Sequence, residues 1–360
     1  RESDEILFEA RGAKILIVDD TPMNLKVALG LLEPLQMQIE TAENGKEAIE
    51  KLMVNEYDLV FMDHMMPVMD GIEAVRTIRG MEAEKFKKLP VIALTANATT
   101  EAQRLFAENG FSGFVSKPIR MKDICRCLRK WLPEEKITER DNSSGSDDKA
   151  LKADAEENAQ DGLPVIEGID SAAGVENSGT KELFLNLLGD FYKLIDRKGN
   201  LIEKYMEEQM VRNFTIEVHA MKSTARMIGA IRLSEMFYRL EQMGDKEDME
   251  GILQETPKVL EMLRGMKAVL KPFGAKVEEK KQKVSKEEIV EALQQIRISM
   301  EDFDVDSADY AMKFLEECAI PEKYREKMEE LSVLVADMAQ DEIISLAGSL
   351  IDELKQENSL

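Results

Sequence analysis

The sequence predicts a doubly wound α/β domain on a five-stranded parallel sheet, followed by an all-α region in two helical sets. Between Lys14 and Trp131 the short apolar runs KILIV, MQIE, DLVFM, PVIAL and GFVS alternate with amphipathic stretches of roughly ten residues, the pattern of five βα units. Beyond Pro164 apolar residues recur only at helical spacing. Between the two regions lies EEKITERDNSSGSDDKALKADAEENAQDG, which has too few large apolar residues to bury a core of its own.

Strands apolar on both faces belong in a parallel sheet covered on both sides. Right-handed crossovers then give the doubly wound arrangement, with its ligand site at the C-terminal edge of the strands. The first run ends in Asp19 and Asp20, the third in Asp63, the fourth in Thr95 and the fifth in Lys117, so these side chains converge on that edge. We assign residues 12–133 to this domain and 134–162 to a flexible acidic linker. An antiparallel helical bundle is expected over 163–273, with breaks near VENSGT, RKGN, MGDKED and KPFG. A charged linker, 274–284, contains KVEEKKQKV. A last helical domain, 285–358, takes Ile289, Leu293, Ile296, Leu331 and Leu334 into its core, and the tail KQENSL frays.

Composition excludes several classes. A formal charge of −23 repels phosphate backbones and anionic lipid heads, so neither nucleic acid nor a membrane surface is an expected partner. No apolar run approaches the ~18 residues of a membrane span, and no signal peptide opens the chain, which reads as cytoplasmic whether or not a parent protein is membrane-anchored. The opening RESDE lacks an initiator methionine, as expected of a segment cut from something longer. Cys125, Cys127 and Cys318 lack metal-ligand spacing and read as reduced structural thiols. No P-loop pattern is present, so this segment is not expected to phosphorylate itself from ATP or to be an enzyme as it stands.

Three carboxylates, Asp19, Asp20 and Asp63, crowded into one partly dry crevice repel one another, and a bound cation is the simplest remedy. Hard oxygen donors point to Mg²⁺, which takes one or two carboxylates and leaves one aspartate free as a nucleophile toward a phosphoryl group. Asp63 is the candidate, at the end of the central strand before the Pro- and Gly-bearing loop HMMPVMDG. Thr95 offers a hydroxyl and Lys117 a charge to the oxygens of the transferred group.

The segments ILIVDD, FMDHMMPVMDG, ALTANA and FVSKPI resemble the signature segments of response-regulator receiver domains, in that family's order and spacing. The resemblance implies a flavodoxin-like fold in which Asp63 is the phospho-acceptor. It also implies that Asp19, Asp20, Asp63 and the backbone carbonyl of Met65 hold Mg²⁺, that Thr95 and Lys117 read the phosphoryl group, and that the Lys117–Pro118 bond is cis. Phe114 stands where the family often has a tyrosine or another aromatic that rotates on activation. His64, directly after Asp63, reads as a solvated loop histidine.

The second of only two histidines lies in VHAMKSTARMIG. On a helix, Phe214, Val218, Met221, Ala225 and Ile228 form the buried stripe, while His219 shares another face with Thr215, Lys222, Ser223 and Arg226. The imidazole is expected to be exposed beside cations that keep it neutral, hence nucleophilic, and Lys222 is expected to meet a phosphate placed on it. HAMKSTARMIGA resembles the motif of histidine-containing phosphotransfer (HPt) domains, four-helix bundles with an exposed phosphorylatable histidine and a lysine three positions later. The family often has glycine where Ser223 stands. The last domain, 285–358, is faintly similar to such a bundle but has no histidine.

The two resemblances together imply the C-terminal part of a hybrid sensor histidine kinase. Its expected partners are a sensor histidine kinase, upstream in the same chain or separate, and a downstream response-regulator receiver. The alternatives are a stand-alone response regulator or an adaptor whose helical region binds proteins without phosphotransfer.

Overall fold

The structure, a computed structural model, describes residues 8–96, 99–139, 163–278, 284–301, 305–318, 320–336 and 339–356. Two units, residues 1–273 and 274–360, are described separately.

In the first unit, β2 (Lys14–Val18), β3 (Gln38–Ala42), β4 (Leu59–Asp63), β5 (Val91–Thr95) and β6 (Gly113–Ser116) form one sheet of order β3-β2-β4-β5-β6, every neighbouring pair parallel. The five runs read from the sequence are these strands. Alternate residues face opposite sides, as the pleat requires. Leu16, Val18, Val60, Met62, Val91 and Ala93 face one core, with residues of α2 (Gly45–Val54), α3 (Gly71–Gly80), α4 (Glu84–Lys88) and α5 (Thr100–Glu108). Ile15, Ile17, Leu59, Phe61, Ile92 and Leu94 face the other, with α1 (Pro22–Leu32) and α6 (Met121–Trp131). Because Val18 pairs with Met62, Asp63 with Leu94 and Thr95 with Ser116, the polar strand ends fall on one edge.

Part of the expected linker is structured. Thr138–Glu139 (β7) pairs antiparallel with Phe8–Glu9 (β1), and Phe8 is buried in the sheet's second core, so this unit reaches beyond 12–133 at both ends. The rest of the linker, 140–162, lies outside the described residues.

Five helices follow among the described residues: α7 (Ser171–Ser178), α8 (Lys181–Glu207), α9 (Val211–Met227), α10 (Ile231–Asp245) and α11 (Met249–Glu278). Asp170 and Thr180 accept a backbone N–H at the starts of α7 and α8, which accounts for the break at VENSGT. Two expected breaks do not occur. α8 runs through RKGN because its stripe of Phe184, Leu187, Leu188, Phe191 and Ile195 continues to Ile202, and this burial outweighs the ~1 kcal/mol that Gly199 costs a helix. α11 likewise runs through KPFG with Pro272 inside it. The helices add Phe214, Val218, Met221, Ala225 and Ile228 of the α9 stripe to the core that already holds α1 and α6.

The second unit contains α12 (Lys286–Glu301), α13 (Val305–Glu317), α14 (Glu322–Ala336) and α15 (Gln340–Gln356) around its own core. Ile289, Leu293, Ile296 and Leu331 are buried there and Leu334 is partly buried against it.

Candidate functional site

Sheet register brings Asp19, Asp20, Asp63, Thr95 and Lys117 to one edge. Asp19, Asp63, Thr95 and Lys117 are buried and Asp20 is half-buried. Lys117 Nζ donates to Asp19 Oδ2 at 2.6 Å and also to Asp63 Oδ2. Asp19 Oδ1 accepts from the Thr21 N–H at 3.0 Å and from Asn24 Nδ2 at 2.8 Å. The Met65 N–H points at Asp63 Oδ1 from 3.5 Å, and the Lys117–Pro118 peptide is cis. The loop after Asp63 folds back so closely that a Cβ on Gly71 would lie 2.0 Å from the Asp63 carbonyl oxygen, so only glycine fits there. Phe114 is exposed on the edge strand.

One ammonium cannot neutralise three carboxylates, and the proton affinities show it. Burial pushes Asp19 up and, together with the neighbouring Asp19 charge, pushes Asp20 up to about 8. Burial opposes ionisation of Asp63 too, but Lys117, His64 and His219 hold its carboxyl well below the usual range. Candidate ligand oxygens of Asp19, Asp20 and Asp63 lie within 4.8 Å of one another. An all-oxygen donor set with excess negative charge fits a hard divalent cation such as Mg²⁺.

His219 departs from expectation. Its face is not the bundle's core stripe, as read, but it is not solvated: His219 is 3% exposed, and Thr215, Lys222 and Ser223 are also buried. Arg226 alone of that face remains exposed. The sheet-domain loop carrying His64 covers the imidazole, with the two rings edge to face at 5.1 Å between centroids. His64 is correspondingly not a solvated loop residue: its side chain is 18% exposed.

Glu241, on α10, is the site residue that sequence reasoning missed. It accepts from His219 Nδ1 and takes Lys222 Nζ on both oxygens, at 2.7 Å to Oε1 and 2.5 Å to Oε2. α10 reaches α9 this closely because Gly244 offers no side chain; a Cβ there would lie 2.1 Å from Thr215 Oγ1. Burial pushes His219 down to about 4, with Glu241 and Asp63 opposing and Lys222 assisting. Burial alone would raise Glu241, yet His219 and Lys222 hold it down to about 2. The ring is therefore neutral at pH 7. With Nδ1–H given to Glu241, Nε2 carries the lone pair, and this buried atom has no hydrogen-bond partner among the described residues. Candidate ligand atoms of Asp63, His64 and His219 lie within 4.8 Å of one another. Beside them is a cavity of about 250 Å³ lined by Lys117, Lys222, Ser223 and Arg226 among others.

Residues 15–129 match the response regulator receiver domain family. This part of the chain is a receiver, the phosphoacceptor module of two-component phosphorelay signalling, and its relatives include hybrid sensor kinases. The sensor protein GacS of Pseudomonas syringae pv. syringae is 27% identical over 241 residues, which are 66% of this chain and 25% of that protein. Histidine kinase 5 of Arabidopsis thaliana is 33% identical over 148 residues (34% of this chain, 16% of that protein), and hybrid signal transduction histidine kinase M of Dictyostelium discoideum is 40% identical over 119 residues (32% and 5%). The chain thus spans a quarter or less of the length of these relatives. Among solved structures, the receiver domain of a Pseudomonas aeruginosa sensor histidine kinase, with magnesium coordinated in its active site cleft, is 32% identical with a TM-score of 0.31, covering 33% of this chain and 97% of that one. The chemotaxis protein CheY4 of Vibrio cholerae is 29% identical with a TM-score of 0.32, covering 33% and 98%. No helix among the described residues is long and apolar enough to cross a membrane.

Proposed function

We propose that this chain is a phosphorelay segment in which Asp63 and His219 exchange a phosphoryl group, residues 163–273 acting as a histidine-containing phosphotransfer bundle. The observation that carries this reading is the orphaned, buried Nε2 of His219, whose ring brings a nitrogen within 4.8 Å of an Asp63 carboxylate oxygen. A buried polar atom without a partner costs free energy, and a site that bears this cost where a phosphoryl group would sit is built for transfer.

Toward the receiver, the Nε2–P bond of phospho-His219 breaks, its electron pair stays on Nε2, and an Asp63 carboxylate oxygen forms the new P–O bond. With Nδ1–H held by Glu241, the departing ring is neutral imidazole and no further proton is needed. The reverse direction uses the same lone pair as nucleophile. Lys117 and the Thr95 hydroxyl engage the oxygens of the moving group, and Phe114 is assigned to the aromatic that responds to acyl phosphate formation. Asp19, Asp20, Asp63 and the Met65 carbonyl would hold Mg²⁺, which when bound neutralises charge developing on the phosphoryl oxygens. Lys222 completes the His219–Glu241 pairing and borders the cavity. We assign a helical accessory domain to 285–358. A sensor histidine kinase, in the same protein or separate, supplies the group, and a downstream receiver takes it.

The test is to load the chain with acetyl phosphate and Mg²⁺ and follow acid-labile against base-labile label. Wild type is expected to carry both; Asp63→Asn is expected to carry neither, and His219→Gln only the base-labile acyl phosphate. No acid-labile label in wild type at any dilution would favour the adaptor reading instead.

A further inference from the structure

The chain's only two histidines meet ring against ring, and the transfer chemistry uses only one of them. His64 is firmly seated. Its Nδ1 lies 3.2 Å from the Leu94 carbonyl oxygen, its own carbonyl accepts the Gly71 N–H at 3.2 Å, and Phe106 meets its ring edge-on at 5.5 Å. Its Nδ1 also lies 3.4 Å from Asp63 Oδ1, and its ring meets the imidazole of His219 at 5.1 Å and an interplanar angle of 81°. His219, by contrast, is anchored through one ring nitrogen only. A ring held at Nδ1 by Glu241 can turn about that bond and change where Nε2 points.

We propose that His64 is a positioning residue for the phosphoryl exchange: its edge-on ring, fixed to the sheet through Leu94 and Phe106, braces the His219 imidazole so that Nε2 stays aimed at Asp63. This rests on the phosphotransfer reading. His64 forms no bond to the moving group; it removes one rotation from the acceptor. Such a role asks for a flat, rigid side chain directly after the acceptor aspartate, and it makes that position a determinant of how well the receiver accepts its own helical partner. A misplacement of about 1 Å in a near-attack geometry costs on the order of 10²-fold in rate, so losing the brace should be readily measured.

The experiment is a single-turnover measurement in the full chain. Asp63 is loaded first, and the appearance of phospho-His219 is then followed, so that loading efficiency drops out. His64→Ala is expected to slow this step by roughly 10- to 100-fold, and His64→Phe, which restores a flat ring, to recover most of the rate. In ring ¹⁵N spectra the Ala variant should show exchange broadening at His219 that wild type and the Phe variant lack, a signature that general loosening would not confine to one ring. An Ala variant at the wild-type rate overturns the brace while leaving the relay intact. Equal losses in the Ala and Phe variants also overturn it. A wild-type chain that never labels His219 overturns the relay and the brace together.

Discussion

The two ends of the proposed transfer are assembled in different ways. Asp63 sits where backbone register alone gathers its neighbours: Asp19, Thr95 and Lys117 come from separate strands of one buried sheet, and Lys117 ties two of the carboxylates together. His219 sits on one helix and depends on a side chain of the next, Glu241, and on a loop of the receiver that covers it. The aspartate site is thus rigid by construction, whereas the histidine site is completed only when its face is covered. A receiver site must survive the departure of its partner. A histidine site that opens to admit other receivers need only be complete while docked.

The largest effect expected from breaking this contrast is at the aspartate. Asp63→Asn should reduce Mg²⁺-dependent labelling by acetyl phosphate to background, because the amide has no anionic oxygen to attack phosphorus; labelling equal to wild type would refute the assignment. Next come the two buried lysines. Lys117→Ala leaves Asp19 and Asp63 buried without their shared cation, a loss of about 3–5 kcal/mol of stability by urea titration without added Mg²⁺. Lys222→Ala leaves Glu241 with His219 as a partner, so a smaller loss of about 1–3 kcal/mol is expected. Reversal of that order would show that the histidine site is the more tightly built of the two.

A pH series sharpens the comparison further. Since burial lowers His219 to about 4, its ring stays neutral below the ordinary histidine pKa of ~6.5. With Mg²⁺ saturating, so that Asp20 stays ionised, transfer from preloaded Asp63 should therefore hold level from pH 8 to about pH 5 and fall only as pH drops through the folded-state value of His219. The unfolded chain takes up this proton earlier, so the covered state loses stability as pH falls from ~6.5 toward 4. A midpoint near 6.5 in the transfer rate would mean that the histidine face is open in solution. The smallest effect belongs to the exposed pair between Arg212 on α9 and Asp70, 3.4 Å apart. Arg212→Ala should change stability by no more than ~0.5 kcal/mol and transfer by less than about twofold, since an exposed ion pair is heavily screened.

The sheet was legible because its period is short and its burial complete. An apolar run ending in a polar residue, repeated along the chain, fixes both a strand and the edge to which that residue goes, and Asp19, Asp20, Asp63, Thr95 and Lys117 were all readable in this way. The buried stripe of α9 was legible for the same reason, through its helical period. Asn24 could have been found as the first-turn residue of the helix that follows Asp19 and Asp20. Glu241 could not, because it is one of many acidic residues on amphipathic helices and lies 22 positions beyond His219.

The sequence by itself determined which side chains can do chemistry and which faces of each strand and helix turn inward, because periodicity is a local property that burial enforces residue by residue. Tertiary structure alone decided what covers those faces. The close approach of α10 at Gly244 brings Glu241 to His219, the continuous core lets α8 run through Gly199, and the loop bearing His64 seals an imidazole that its own helix leaves open. These are contacts between segments far apart in the chain. Their energies depend on the fit of two surfaces, and neither surface is written in the local pattern of the other.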